Sequence, residues 1–482
     1  MLSRAVGVVA FKLACLIFVQ VGAAQPDADA TERKLGPMVW RVWAINDVSQ
    51  ENEARESANA LSSKGEFLLP QSVPLVTDDW IYMRTPRRLM AVEDATGKRR
   101  WEFPWYAAEA APAAPEFRDR RKLEGSSSYL LQQRLWQDAV FADISVGGGL
   151  VTVIDKLSAT PASLPRSLPV RSWVQPSPTN ELVALDVDTQ GKLQWSIGGE
   201  SNRDEPKTAG MFFVGSGVLR DGKLFALALK ERSLQVLRLS AKTGALEERL
   251  EIATLPEDEP TEFYTLRVGG VRPLLVENLL VCPTSINQVV AVDIEKQEVA
   301  WKFEYEPPAG IRAAFRRGDL DRRHWFDNQP FTADGLVIAT PLDSDKLFAL
   351  DAATGELRWR RAAGEARLAA VEGSTVLLIS PRSISACRAS DGELLWEGLN
   401  GEPLSEDLRV GLPRGTHFSG RGVFDRGRFL VPTTAQELLA IDLKSGKIAE
   451  LFKTPSVLGN LVVHGGHLYS QDSLALVKFP WP

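Results

Sequence analysis

One eleven-residue unit recurs along this chain, and the recurrence limits the fold more than any other feature. The segment Ala349-Leu-Asp-Ala-Ala-Thr-Gly-Glu-Leu-Arg-Trp359 returns as Ala91-Val-Glu-Asp-Ala-Thr-Gly-Lys-Arg-Arg-Trp101 and as Ala291-Val-Asp-Ile-Glu-Lys-Gln-Glu-Val-Ala-Trp301. Ala386 to Trp396 is a further copy, and Ala184 to Trp195 repeats it with one extra residue in the turn. Arg238 to Glu248 and Ala440 to Glu450 keep the turn and place glutamate where the others place tryptophan. Each copy reads as a strand of alternating apolar residues, an Asp, a Thr-Gly or Ser-Gly turn, and a second strand ending on Trp. Period-two alternation is the mark of a strand with one buried face. The turn glycine supplies positive φ, and the Asp or Thr side chain bonds the turn backbone.

A second strand pair precedes most copies, as in Gly335-Leu-Val-Ile-Ala-Thr340 and Thr375-Val-Leu-Leu-Ile-Ser380. Two hairpins make a four-stranded antiparallel blade, and a blade without a core of its own must stack on neighbours around an axis. The rings at Trp101, Trp195, Trp301, Trp359 and Trp396 occupy one repeat position and are expected to pack between blades. After the seventh turn the strands Leu461–His464 and Leu474–Phe479 form an incomplete blade. Near the start, Val39-Trp-Arg-Val-Trp-Ala-Ile45 is an alternating strand with no partner nearby. Joining the two would close the ring and remove an open edge. The expected fold is an all-β, eight-bladed β-propeller closed by an N-terminal strand, with seven blades as the alternative. Inserts are expected near 46–70, 104–137, 158–179 and 305–328, the first carrying a surface helix over Gln50–Lys64.

Residues 1–24 read differently. Arg4 and Lys12 precede an apolar run over Leu13–Val21, and Gly22-Ala23-Ala24 supplies small residues, the order of a secretory signal. The run is short for a bilayer span, so the expectation is an exported protein, periplasmic or secreted, with one propeller domain over 25–482 and no direct membrane span. A net charge of −6 argues against a broad nucleic-acid surface. Three cysteines with no CxxC pair exclude zinc ribbons and thioredoxin-type motifs. Cys282 and Cys387 are expected as small buried apolar residues in different blades.

The units LFALDAATGELRW, LVALDVDTQGKLQW and LLAIDLKSGKI resemble PQQ-type (pyrroloquinoline quinone) repeats. These belong to the quinoprotein alcohol dehydrogenase-like superfamily, whose domains are commonly eight-bladed propellers. The same repeat builds BamB, a propeller lipoprotein of the outer-membrane β-barrel assembly machinery. The resemblance spans about Leu75 to Phe479 and implies the fold; it reaches enzymes and scaffolds alike. A quinone enzyme of this kind would need an Asp base, a calcium held by Glu and Asn oxygens, and an aromatic floor. No two cysteines here are adjacent, and no Glu-Asn-Asp calcium set maps onto the chain by motif. PQQ with calcium is therefore not supported by motif, and no cofactor is expected.

Propeller ligands and partners meet loop-built faces and channel ends. Three loops, each preceding the first strand of a blade, are the candidate partner- or ligand-binding face. They carry Arg134, Trp136 and Asp138; His324, Trp325, Asp327 and Asn328; and His417 and Arg421. The bland alternative is that the rings cover blade edges while Asp and Arg bond loop backbones. His464-Gly-Gly-His467 is expected as a solvated hairpin turn, and Arg317-Gly-Asp319 as a chance tripeptide. No catalytic or metal-ligating set is assigned. The expected function is a non-catalytic scaffold, BamB-like, whose partner is another envelope or secreted protein. The alternative is a quinone-dependent or carbohydrate-acting enzyme using the same face.

Overall fold

The structure is a computed structural model and describes residues 31–63, 67–104, 130–157, 179–256, 260–308, 328–364, 366–380, 384–398 and 416–482. The leader at 1–24, the Arg317-Gly-Asp319 tripeptide and most of the inserts at 104–137, 158–179 and 305–328 lie outside the described residues. The described chain forms eight antiparallel blades, which we number I to VIII in chain order. Blade V shows the plan. Its strands Phe331–Ala333, Leu336–Ala339, Lys346–Asp351 and Leu357–Ala362 pair in chain order, innermost to outermost.

The repeat motif is the outer hairpin of each blade. In blade V, Asp351 Oδ1 accepts from the Ala353 and Thr354 N–H groups at 3.1 and 3.0 Å, and Gly355 closes the turn at φ +72°. Arg358 and then Thr354 hold the Asp351 carboxyl down at about 2. A register shift between Ala349 and Leu350 places an unpaired residue just before Trp359. The same bulge stands at Ala91/Val92, Ala291/Val292 and Ala386/Cys387. A bulge turns the next side chain out of its regular direction.

That tryptophan lies on the turn glycine of the next blade. A Cβ added to Gly191, Gly244, Gly355, Gly392 or Gly446 would stand within 2.7 Å of the ring of Trp101, Trp195, Trp301, Trp359 or Trp396, respectively. Four of these rings also donate Nε1–H to a carbonyl across the seam, as Trp195 does to Ala241 at 2.8 Å. The expectation of inter-blade packing is met, and the stripe has a sixth member. Trp40, on the N-terminal strand, covers Gly97 and donates to Asp94 O at 2.9 Å. Blade III has Glu248 in place of Trp, and the turn it faces carries Gln297 where the others carry Gly. Without a ring overhead, a side chain fits there.

The apolar cores lie between blades, because each sheet buries both faces against its neighbours. Val281, Val289 and Ala291 of blade IV pack with Val337, Phe348 and Leu350 of blade V, and an equivalent cluster joins V to VI. The ring closes as the sequence implies. Trp40–Trp43 pairs antiparallel with Ala475–Pro480, making the outer strand of blade VIII. Trp40 then packs with Ile81, Met83 and Met90 of blade I. One pairing was not foreseen: Thr31–Lys34 adds a parallel fifth strand to the outer edge of blade VII. A sixteen-residue helix, α1 (Val48–Ser63), follows the closing strand, two residues earlier than its expected start. Cys282 and Cys387 are buried free thiols, both pushed up in pKa by burial, Cys387 to about 11.

Candidate binding face

Strand alternation places every connection that enters a blade, and every loop joining its second and third strands, at one end of the ring. The described members of the candidate set therefore share an end, but not one environment. Arg134 and Asp138 sit in the connection from blade I to blade II, on and after a helical segment at 130–136. Their side chains are 5% and 3% exposed, and Arg134 Nη1 donates to Asp138 Oδ2 at 2.6 Å. Arg134 also donates to the Leu157 carbonyl. Beside it, Arg84 Nε donates to Phe141 O at 2.9 Å and Nη2 to Ile154 O. The guanidinium carbons of Arg84 and Arg134 lie 3.7 and 3.8 Å from the centroid of the Phe141 ring.

These charges brace the seam between blades I and II from within. Burial pushes the Asp138 carboxyl up to about 6, against the opposing pull of Arg134, Arg267 and Arg84. Burial also lowers the Arg84 guanidinium to about 9, still protonated at neutral pH. A buried ion pair repays its desolvation only when its remaining polar atoms find partners, and here carbonyls supply most of them. Asn328 is also 1% exposed; its carboxamide donates to Gly270 O at 3.0 Å and accepts from Arg272 N–H at 3.3 Å, tying the entry of blade V to that of blade IV. Arg421 sits at the entry of blade VII, where its N–H donates to Asn460 Oδ1 at 2.8 Å and its carbonyl accepts from Leu461. His324, Trp325 and Asp327 lie outside the described residues.

Two candidates do come together. Trp136 packs with Ile45, Ala54, Leu131 and Leu135, and its Nε1–H donates to Ser473 Oγ at 2.8 Å. His417 stands edge-on to Phe67 with ring centroids 4.9 Å apart. Both line one cavity of about 550 Å³ between α1 and blades VII and VIII. Helix α1 contributes Ala54, Arg55, Ala58 and Asn59 to one wall; Pro455–Leu458 and Asp472–Leu474 form the opposite side. The closing strand contributes Arg41 and Trp43, opposite Val477 and Ala475 of its partner strand.

Sequence reading took Val39–Ile45 as a structural strand and missed its second face. Alternation sends Trp40 toward blade I and therefore Arg41 and Trp43 toward the cavity. The signal was present, since two tryptophans three apart on a strand point to opposite faces. Trp43 remains 41% exposed, and the Arg41 guanidinium carbon lies 5.2 Å from its ring centroid. The other sequence candidate, His464 and His467, is an exposed hairpin pair; His464 Nε2 is 3.1 Å from Asp78 Oδ1 and His467 Nδ1 is 2.9 Å from Gly465 O. Among the described residues, no group of three or more His, Cys, Asp or Glu could hold a metal ion.

A family model described as outer membrane protein assembly factor BamB matches residues 265–477. Residue by residue, that span runs through blades IV to VIII. Over those blades the propeller is built of PQQ-like repeats. The propeller is similar in structure to BamB from Moraxella catarrhalis, at 13% identity over 86% of this chain and 95% of that one, with a TM-score of 0.50. It is as similar to the quinohemoprotein alcohol dehydrogenase from Comamonas testosteroni, at 12% identity over 86% of this chain and 75% of that one, also with a TM-score of 0.50. Identities this low speak to fold alone. None of the curated proteins matches the sequence. No helix among the described residues is long and apolar enough to cross a membrane.

Proposed function

We propose that this propeller is an exported, non-catalytic binding platform that docks another envelope or secreted protein. The observation that carries the reading is the cavity under α1. It joins an apolar floor to a part-exposed Trp43 and two arginines, the mixture that marks protein-binding hot spots. The charged candidates at Arg134 and Asp138 support it indirectly, because they are spent on bracing a seam and leave no exposed acid–base pair there. The apolar run at Leu13–Val21 after Arg4 and Lys12 supports export. On this reading the propeller needs no quinone.

The test is a photo-crosslinking residue placed singly at Trp43, Leu193 and Leu394, all exposed apolar positions, with recovery from the exported fraction. A defined exported protein crosslinked from at least one position is expected; silence from all three would sink the platform. In parallel, PQQ and calcium are added to the purified chain. A stoichiometric chromophore with a raised melting temperature would replace the platform with the quinone enzyme.

A further inference from the structure

The cavity's own chemistry narrows the partner. We infer that it receives an extended acidic segment of the partner protein, with an apolar side chain entering under α1 and a neighbouring carboxylate meeting Arg41. This rests on the platform reading above. Three observations point the same way.

The first is shape and polarity. At about 550 Å³ the cavity is large enough for one or two side chains, and Leu68, Pro70, Trp136, Val457 and Leu458 line its depth. The second is charge. The chain as a whole carries −6, yet the cationic groups of this cavity, Arg41 and Arg55, both stand on its walls. Arg55 is engaged by Glu51 at 2.8 Å. Arg41 forms no ion pair among the described residues and lies against the Trp43 ring. The Asp472 carboxylate, also in the lining, accepts the Leu474 and Ala475 N–H groups at 2.7 and 2.6 Å through one oxygen, and feels the charge of Arg41 and Arg55 without forming an ion pair with either. An arginine stacked on an exposed indole keeps its donors directed outward, the arrangement that captures carboxylates.

The third observation is the edge beside the cavity. The closing strand Trp40–Trp43 pairs on one side only among the described residues, so its outer edge offers main-chain donors and acceptors. At the adjacent blade the same kind of edge already accepts an added extended segment, Thr31–Lys34. An extended peptide thus finds main-chain partners, an apolar seat and a cation within one stretch.

The experiment uses the full exported chain and three fluorescein-labelled dodecapeptides of otherwise identical Gly-Ser background. One carries Asp-Phe-Asp, one Lys-Phe-Lys and one Asp-Ala-Asp at its centre. Fluorescence anisotropy should show saturable binding of the Asp-Phe-Asp probe, at least tenfold tighter than either other probe, weakening with added salt. Arg41→Glu and Trp43→Ala should each weaken it at least tenfold with the melting temperature unchanged. Equal binding of the acidic and basic probes, indifference to Arg41→Glu, or no binding of any probe would overturn the inference. So would a concentration-dependent dimer abolished by Trp43→Ala, which would give the cavity to a second copy. Crosslinks from Leu193 or Leu394 without one from Trp43 would overturn the acidic segment at this cavity while leaving the platform standing.

Discussion

The seam between blades V and VI and the seam between blades VII and VIII are built from the same repeat and end differently. At V–VI, Trp359 lies on Gly392 and donates to Ala389 O at 2.7 Å, so ring and turn close the joint. At VII–VIII the repeat offers Glu450, which pairs with Arg33 at 2.9 Å and with Arg428. The missing ring is supplied from the C-terminal tail. Trp481 packs against Phe452 with centroids 5.1 Å apart and donates to Asp425 Oδ2 at 2.9 Å. The tail fills the end of the seam near the hairpin turns, and the opposite end holds the cavity. Where the repeat is kept, the joint is sealed and the residues are explained by packing. Where the chain ends meet, the repeat lapses, and the cavity opens there.

This contrast can be broken in several places. Trp101, 2% exposed, is the most buried ring of the stripe, and Trp101→Ala should cost roughly 3–5 kcal/mol. An unchanged denaturation midpoint would refute the packing account of all six rings. Trp359 is half-buried, so its removal should cost less than that of Trp101. Next, Gly355→Ala should lose roughly 1–3 kcal/mol, since its φ is +72° and a Cβ would stand 2.5 Å from the Trp301 ring. Gln297→Gly, at φ +58° in a turn facing a blade with no ring, is the control that reports turn strain without a ring and should gain about 1 kcal/mol or less. A Gly355→Ala loss no larger than that gain would mean that turn strain alone, and not the ring, selects glycine.

The buried brace between blades I and II makes a pH prediction. Asp138 has its carboxyl raised from 3.8 to about 6 when folded. Between these values the folded chain holds a proton that the unfolded chain has lost, so this group's contribution is fully present below about pH 4 and declines as pH rises through 6. The stability of the native chain relative to Asp138→Asn should therefore fall from pH 4 to pH 6 and level off above. A difference that rises over that range would reverse the assigned environment. The smallest effect is expected at the cavity, where Trp43→Ala should change stability by about 0.5 kcal/mol or less while weakening binding of the Asp-Phe-Asp probe at least tenfold. A large loss would make Trp43 part of the core and remove the contrast between seams.

Much of this was legible beforehand for local reasons. Hairpin chemistry is carried by adjacent residues, so Asp351, Thr354 and Gly355 announce their turn without knowledge of the rest. Counting hairpins left one blade short, and Trp40–Trp43 was the unpaired strand that could complete it. The candidate site was less legible. Arg134 and Asp138 look like an exposed helical pair, and only the carbonyls of Leu157, Phe141 and Ile154, brought from other strands, show that the pair and its neighbour Arg84 are buried. Arg41 and Trp43 were hidden by their own strand's obvious structural purpose.

By itself the amino-acid sequence determined the blade and the strand that closes the ring, because these follow from periodicity and turn residues a few positions apart, while the choice of eight blades over seven was made by the structure. It also determined that five tryptophans share one position. Only the tertiary structure decided that Trp40 joins them, that Trp481 stands in for the ring absent at Glu450, and that Trp136 and His417 face one cavity with Arg41. Those relations link residues as much as hundreds of positions apart, and burial at such places is set by what the closed ring brings alongside rather than by any local pattern.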